Sequence, residues 1–251
     1  MYYKAKEKKP DTDIKVKIEQ VLVASPYYGY KRVTKQLQRD GQIVNEKRIY
    51  RIMGEWHLLQ VRKRKNGPKT TNSNHKFFIY PNVVKDLSVR APSTVWVSDV
   101  TYVWIGNRWA YLALIMDQGS RRVVGFSFGL TLRKELCLDA LELAVRSAPL
   151  PIYHHSDRGV QYCSNEYIRQ LKDNNITPSM ADVGVSVDNP YAESLNRSIK
   201  VEEVYLNAYE SFDQAKTSIE RYIKVYNTTR LHSSIGYQSP LEYEAHYKVT
   251  N

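Results

Sequence analysis

Apolar positions in the first sixty residues recur at helical spacing and predict three short helices. Three sets of residues define them: Ile14, Ile18, Val21 and Leu22; Val33 and Leu37; and Ile49, Ile52, Met53 and Trp56. Ser25-Pro26 and Gly41 end the first two helices, and Asn45 is a suitable N-cap for the third. Three short helices with a tight turn are typical of a helix-turn-helix module, although an ordinary amphipathic bundle has the same pattern.

From about residue 95 the pattern changes to strands. VWVSDVTYVWI, WAYLALIMD and RRVVGFSFGL are rich in β-branched and aromatic residues and predict three strands joined by short turns. A helix over 133–147, a strand at PIYHHSD, a helix over 165–174, a strand at ITPSM and a helix from DNPYAES follow. The order β-β-β-α-β-α-β-α predicts an α/β fold with strands of mixed direction.

These patterns predict four regions. Residues 1–60 form the helix-turn-helix-like domain, 61–90 a basic linker, 91–210 the α/β core, and 211–251 a C-terminal helix and tail that pack on the core. The linker prediction rests on VRKRKNGPKTTNSNHK, residues 61–76, which has almost no apolar content. In the tail, the residues from Phe212 to Tyr226 include a core-type apolar stripe, so we assign that helix to packing.

The positive charge is concentrated in the first third of the chain. The net charge is +11 over 251 residues. Residues 1–76 hold 19 Lys and Arg against 7 Asp and Glu, a net charge of +12, whereas residues 77–251 hold 18 against 19. Such asymmetry suggests a nucleic-acid-binding arm on a nearly neutral body, although a solvated basic surface is the simpler alternative.

Basic residues on the third helix and in the linker are the first candidates for DNA contacts. On the third helix the basic side chains lie mostly off the apolar stripe, where they can face phosphates or base edges. Two later residues join them: Arg158, which could instead pair locally, and Lys200, which could hold a phosphate. The full set is Lys47, Arg48, Arg51, Arg62, Lys63, Arg64, Lys65, Arg158 and Lys200.

Three acidic residues are candidates for a metal site. Asp99 lies in the middle of the first strand, Asp157 lies at the end of the fourth, and Glu193 lies in the first turn of a helix that begins at Pro190. Carboxylates held together repel one another unless divalent cations bind between them. A pair of Mg²⁺ ions about 4 Å apart would suit phosphodiester chemistry.

Each of these candidates has a simpler alternative. Arg158 could neutralise Asp157, and Glu202 or Glu203, on the same predicted helix, could replace Glu193. We interpret His154 and His155 as structural or phosphate-contacting residues, because Mg²⁺ prefers oxygen ligands. Arg230 and His232 could approach DNA or close the tail onto the core. Cys137 and Cys163 form no CxxC pair, which argues against a zinc site and fits a reducing compartment.

Taken together, the motifs resemble a known enzyme family. Asp99 in WVSDVTY, Asp157 in HSDRGVQY and Glu193 in DNPYAES resemble the D-D-E triad of retroviral-type integrases and insertion-sequence transposases. Asp157 and Glu193 are separated by 35 residues, the spacing of that family, and Lys200 matches its usual basic position. YNTTRLHSSIGYQSPLEY and YGYKRVTKQLQRDGQIVNEKRIYRIM resemble the ending and the leading helix-turn-helix of second-reading-frame products of the insertion-sequence-three group.

The resemblance implies a ribonuclease-H-like integrase core with a mixed five-stranded sheet and a catalytic triad of Asp99, Asp157 and Glu193. It implies two Mg²⁺ or Mn²⁺ ions bound by the same three residues. The implied reaction is cleavage of transposon ends followed by transfer of the 3′-OH strand to DNA. The implied partners are double-stranded DNA, namely transposon ends and target, and further copies of the chain assembled on that DNA.

Two departures from the family pattern keep alternatives open. SMADVGVSVDN, before Glu193, differs from the commoner Ser-rich version, and no leucine-zipper heptads precede residue 12. An upstream-frame protein is therefore a possible partner. A catalytically silent DNA-binding remnant or regulator, or a plain nuclease, are the competing functions. Because no apolar run approaches about 18 residues and no secretory signal is visible, we expect a cytoplasmic, nucleoid-associated bacterial protein with no membrane partner.

Overall fold

Three helices form the first unit of the chain: α1 (Thr12–Ala24), α2 (Tyr30–Arg39) and α3 (Glu46–Glu55). The computed structural model describes residues 11–60, 77–182 and 189–250. Asn45 caps α3 as predicted, because its side chain accepts a hydrogen bond from the backbone N–H of Arg48 at 2.8 Å. Ile18, Val33 and Ile49, one from each helix, are fully buried. Mutual burial of this kind stabilises helices that are too short to be stable alone.

Trp56 departs from the prediction for the third helix. It lies one residue beyond the end of α3 and is about half exposed. The Nζ atom of Lys15 lies 4.2 Å from the centroid of its ring. The expectation that Trp56 lies on the buried apolar face was therefore wrong, because the backbone leaves the helix before the side chain can share that face.

The second unit is built on a five-stranded sheet. Its strands are β1 (Val95–Ile105), β2 (Arg108–Asp117), β3 (Val123–Gly129), β4 (Tyr153–Ser156) and β5 (Thr177–Met180). The strand order is β3-β2-β1-β4-β5. The first three strands pair antiparallel as a meander, whereas β4 is parallel to β1 and β5 is parallel to β4. The predicted fold class, a mixed five-stranded α/β sheet with flanking helices after a small all-helical region, is confirmed.

Helices cover this sheet. They are α4 (Lys134–Ser147), α5 (Asn165–Asp173), α6 (Pro190–Ile199), α7 (Phe212–Thr228) and α8 (Pro240–Thr250), with a π-helical segment at Lys200–Val204. The apolar stripe predicted on α4 is buried as expected. Gly125 on β3 permits this packing, because a Cβ atom there would lie 2.2 Å from the backbone oxygen of Ala140. No helix within the described parts of the chain is both long and apolar enough to cross a membrane.

The chain just before β1 belongs to the second unit and contacts other parts of it. The backbone N–H of Val83 donates a hydrogen bond to the Ser179 hydroxyl at 3.1 Å, and the Tyr243 hydroxyl donates one to the Arg90 carbonyl at 3.0 Å. Within residues 77–90, predicted as the end of the linker, Val83 and Arg90 form these hydrogen bonds with the core and the tail. The boundary between compact units falls between Arg64 and Lys65. The finer four-region division stays a prediction.

Candidate active site

Asp99 lies on the central strand of the sheet. It pairs with Leu114 of β2 on one side. On the other side, the parallel pairing of β1 with β4 covers Val95–Val97. Just beyond that pairing, the side-chain amide of Asn189 donates a hydrogen bond to the Ser98 carbonyl at 2.9 Å. The N-terminal end of α6 is thereby attached to β1 immediately before Asp99.

Asp157 follows the neighbouring parallel strand. Val97 of β1 is in register with His155 of β4, so Asp99 and Asp157 each lie two residues beyond a paired position. Carboxyl ends of parallel strands meet at one edge of a sheet. The backbone N–H of Gly159 donates to Asp157 Oδ1 at 2.9 Å. A Cβ atom at Gly159 would lie 3.0 Å from the same oxygen, so glycine here leaves room for the carboxylate.

Glu193 lies exposed in the first turn of α6, where the N-terminal end of the helix favours a negative charge. Three residues further along the same helix, the side-chain amide of Asn196 donates to Asp99 Oδ2 at 2.7 Å. Residues at i and i+3 share a helix face. The face of α6 that carries Glu193 is therefore directed toward the Asp99 carboxylate.

The three carboxylates share one electrostatic environment. The pKa of Asp99 is raised to about 7, first because burial disfavours its charged form and then because Asp157 repels that charge, with a smaller contribution from Glu193. A hydrogen bond from the Val100 backbone N–H and the charge of Lys200 oppose the rise. Asp157 and Glu193 therefore both lie close enough to Asp99 to disfavour its charged form.

The donor set fits a hard divalent cation, since three carboxylates would supply oxygen ligands. A further oxygen, Oδ1 of Asn196, is buried beside Asp99 and has no hydrogen-bond partner among the residues that the structure describes. The carboxylates are nevertheless not drawn together as ligands: within residues 11–60, 77–182 and 189–250, no three His, Cys, Asp or Glu residues are grouped closely enough to hold a metal ion. The SMADVGVSVDN stretch that precedes α6 falls largely in 183–188, outside the described residues.

Lys200 begins the π-helical segment that continues α6. Its Nζ atom lies 3.8 Å from the centroid of the Tyr102 ring on β1. Partial burial lowers the pKa of Lys200, and the nearby charge of Asp99 opposes that shift. The predicted cation therefore lies against the strand that carries Asp99, through its contact with Tyr102.

Glu202 and Glu203, the alternatives to Glu193 named from the sequence, both form hydrogen bonds with other side chains of the second unit. The buried carboxylate of Glu202 accepts hydrogen bonds from Nε and Nη2 of Arg230, each at 2.6 Å, and from the Tyr222 hydroxyl at 2.8 Å. Glu203 accepts hydrogen bonds from the hydroxyls of Tyr209 and Ser218. These contacts leave Glu193 as the acidic residue of this helical run that faces Asp99.

The contact between Glu202 and Arg230 also shows the role of the tail residues Arg230 and His232. Arg230 and His232 are both buried, and Arg230 Nη1 lies 3.0 Å from His232 Nδ1. The tail closes onto the core through this pair and Glu202. The alternative reading, in which Arg230 and His232 approach DNA, was wrong because both side chains are enclosed.

The two histidines before Asp157 are structural. His154 Nε2 lies 3.0 Å from the Tyr167 hydroxyl, and His155 Nδ1 lies 2.9 Å from the Ser179 hydroxyl. Burial lowers the pKa of His154 to about 3, so the ring is neutral. Both side chains are almost fully buried. The alternative of phosphate contact was therefore wrong.

The candidate DNA contacts have mixed surroundings. Asp11 accepts hydrogen bonds from both Arg48 and Arg51, and Arg51 also contacts Glu55. Lys47 is exposed. Arg158 donates through Nε to the Ala181 carbonyl at 2.6 Å, which fits the local alternative for this residue. The four linker candidates, Arg62, Lys63, Arg64 and Lys65, lie outside the described residues.

Two residues that were not predicted from the sequence, Asn189 and Asn196, attach α6 to the strand of Asp99. Asn196 is detectable in principle, because it lies three residues after Glu193 and therefore on the same helix face. Asn189 is the N-cap residue of α6. In the structure its side chain forms no capping hydrogen bond and is used for β1 instead.

Comparisons with known proteins cover both units. Two family models described as "Integrase core domain" match residues 89–186 and 174–240, and one described as "HTH-like domain" matches residues 9–66. The chain is 35% identical over 245 residues to "Insertion element IS600 uncharacterized 31 kDa protein" of Shigella sonnei, covering 96% of this chain and 90% of that protein. It is 33% identical over 221 residues to "Transposase InsF for insertion sequence IS3A" of Escherichia coli (strain K12), covering 86% and 76%.

Solved structures with the same fold include two retroviral integrases. A simian T-cell lymphotropic virus intasome chain, from a complex with PP2A regulatory subunit B56 gamma, matches with a TM-score of 0.56 and 15% identity over 90% of this chain and 74% of that chain. The HTLV-2 integrase catalytic core domain in complex with magnesium, in its trimeric form, matches with a TM-score of 0.52 and 17% identity, covering 62% of this chain and 99% of that one. At such identities the likeness supports the fold alone.

Proposed function

The chain belongs to the IS3 family of insertion-sequence transposases with an integrase core, and from this premise we propose that it cleaves transposon ends and transfers the resulting 3′-OH strand to target DNA. One observation carries the proposal. Asp99 on β1, Asp157 just after β4 and Glu193 on α6 lie near enough that the last two add to the effect of burial in raising the pKa of Asp99. Carboxylates that perturb one another's charge, on neighbouring elements of a fold, are typical of catalytic sites.

We assign the three carboxylates as ligands of two Mg²⁺ or Mn²⁺ ions. When bound, such ions would activate the attacking oxygen and stabilise the leaving oxygen of the phosphodiester. The neighbouring residues prepare the ligands. Asn196 orients Asp99 through its side-chain amide, and the backbone N–H of Gly159 orients Asp157. Lys200, beside Asp99, is placed to hold a DNA phosphate.

The remaining parts of the proposal concern DNA and assembly. The basic candidates of the first unit and linker, together with Arg158, would hold transposon ends and target DNA. We further propose that several copies act together on DNA, that an upstream-frame protein contributes, and that the activity takes place in the cytoplasm of a bacterium, at the nucleoid. The support is the HTH-like match over residues 9–66 and the excess positive charge of residues 1–76.

A strand-joining assay tests the chemistry. Labelled duplexes that carry the element's own ends would be incubated with target DNA and Mg²⁺, with wild-type protein and with Glu193→Gln. We expect joined product from the wild type and at least about a hundredfold less from Glu193→Gln. Glutamine lacks the negative charge with which the carboxylate would hold a metal ion. Glu220→Gln, a change at an exposed acidic residue of α7, is the matched control. Equal joining by wild type and Glu193→Gln would contradict the assignment.

A catalytically silent DNA-binding protein is the second candidate. The observation in its favour is that the three carboxylates are not grouped as metal ligands in the described part of the chain. It predicts that the protein binds the ends but that neither wild type nor variant cleaves or joins them. Repeating the assay with the upstream-frame protein present separates a silent protein from one that lacks its partner.

A further inference from the structure

An aromatic cluster lies at the far end of the hairpin formed by β1 and β2. It comprises Tyr102, Trp104 and Trp109, which we call the aromatic platform. The ring centroids of Trp104 and Trp109 are 4.7 Å apart, and those of Tyr102 and Trp109 are 5.0 Å apart. Trp104 is 48% exposed and Trp109 is 38% exposed, whereas Trp96 on the same strand is fully buried. Neighbouring tryptophans that are exposed to solvent on the surface of a strand commonly mark a binding site.

The platform begins beside the proposed catalytic site. Tyr102 lies three residues after Asp99 on β1, about 10 Å along an extended strand, and its side chain is on the opposite face of that strand. The Nζ atom of Lys200 lies 3.8 Å from the Tyr102 ring centroid, and Lys200 comes four residues after Asn196, whose side-chain amide donates to Asp99 Oδ2 at 2.7 Å. One lysine thus connects the aromatic platform with the carboxylates.

The hairpin holds the platform rigidly. Trp104 and Trp109 are directly opposite each other in the antiparallel register. At the turn, the backbone N–H of Gly106 donates to the Tyr209 carbonyl at 2.9 Å. The φ of Gly106 is +54°, a conformation that favours glycine. Rigid aromatic rings lose little entropy when another ring stacks on them.

The combination of rings and cations matches a nucleotide. A base presents a π-face to the rings, and its phosphate would lie near Lys200 or near Arg108, which is exposed at the start of β2. Single-stranded nucleic acid is generally bound by such a mixture of aromatic and basic side chains. A partner protein would satisfy the rings but would leave the lysine and arginine without an anionic group.

We propose that the aromatic platform stacks an unpaired base of the DNA strand next to the scissile phosphate, with Lys200 holding the intervening phosphate. The proposal rests on the proposed function, since it needs DNA in the adjacent site. It assigns the platform a role in recognising opened or overhanging DNA ends, which duplex contacts by the basic first unit cannot supply.

Binding measurements test the platform without any catalysis. The full chain, without divalent metal, would be titrated with a blunt 20-base-pair duplex and with the same duplex carrying three unpaired thymidines at one 3′ end, following tryptophan fluorescence and anisotropy. The wild type should bind the tailed duplex more tightly, with quenching. Trp104→Ala and Trp109→Ala should each lose about tenfold in affinity for the tailed duplex while keeping their affinity for the blunt one. Trp109→Phe should retain most of the preference.

Control variants separate the possible failures. Leu130→Ala removes an exposed apolar side chain just beyond β3 and should change neither affinity. Asp99→Asn should abolish joining but keep the preference for the tailed duplex. Wild-type joining with no preference for the tail would overturn the platform alone. Loss of preference in the Ala variants without any wild-type joining would overturn the proposed function alone. A change of oligomeric state in the Ala variants, with an unchanged DNA preference, would show that a second copy of the chain covers the platform and would also overturn the proposal.

Discussion

Asp99 and Glu202 are two acidic residues with opposite surroundings. Asp99 contacts the helical run formed by α6 and the π-helical segment, and Glu202 lies on it. Glu202 is buried and paired with the Arg230 guanidinium, and the Tyr222 hydroxyl completes its hydrogen bonds. Asp99 has hydrogen bonds from neutral groups, and burial followed by repulsion from two further carboxylates raises its pKa to about 7. A buried charge with a matched partner maintains the structure, whereas one surrounded by like charges costs stability and is expected where a ligand completes the site.

The largest expected effect comes from breaking the satisfied pair. Arg230→Met leaves Glu202 buried without its cation and should lower the free energy of unfolding by about 3–5 kcal/mol. The double variant Glu202→Leu/Arg230→Met should recover much of that loss. Urea unfolding followed by circular dichroism measures both. Arg146→Met, which breaks an exposed pair with Glu142 on α4, should cost less than about 0.5 kcal/mol. Equal losses of unfolding free energy in Arg230→Met and Arg146→Met would contradict the special role of the buried pair.

Asp99→Asn should change the free energy of unfolding by a smaller amount and in the opposite direction. Because the folded pKa, about 7, exceeds the usual value of 3.8, the stability associated with the protonated group is lost as pH rises through about 7. Asp99→Asn should therefore stabilise the metal-free protein at pH 8 by on the order of 2 kcal/mol and change it little at pH 4. Added Mg²⁺ should raise the melting temperature of the wild type but not of the variant. Destabilisation at pH 8 would contradict this account of Asp99.

Asn196→Ala should have the smallest effect on stability and a measurable effect on activity. It removes the amide that orients Asp99, and changes to residues that orient a metal ligand typically reduce metal affinity or activity about 10- to 100-fold. Joining rates measured across Mg²⁺ concentrations should show a weaker apparent affinity for the metal, a shift that a purely structural role would not produce. Ser194→Ala, an exposed neighbour on α6, is the control.

Much of the fold followed from local pattern. The order of strands and helices in the core and the cap at Asn45 were all visible in hydrophobic periodicity and residue type. Trp56 shows the limit of this approach, because an apolar residue continued the stripe by one position after the helix had ended. Periodicity locates an element well but determines its ends poorly.

The acidic residues of the candidate site could be predicted from motif spacing. The partners of the predicted basic residues could not. Asp99, Asp157 and Glu193 were named from the sequence, and the structure places them near one another. The partners of Arg48 and Arg51 were not predictable, because Asp11 lies about 40 residues earlier in the chain. Side-chain pairs so far apart in sequence leave no periodic signal.

The sequence by itself determined which residue types could do the chemistry and in what order the elements follow, because helix and strand periods and motif spacings are local properties. Only the tertiary structure decided between Glu193 and Glu202. Both lie on one helical run, and the choice depends on Arg230, which comes 28 residues after Glu202 and pairs with it in the core. The reason is physical: burial and pairing, which decide whether a carboxylate supports packing or faces a site, exist only once distant segments have met.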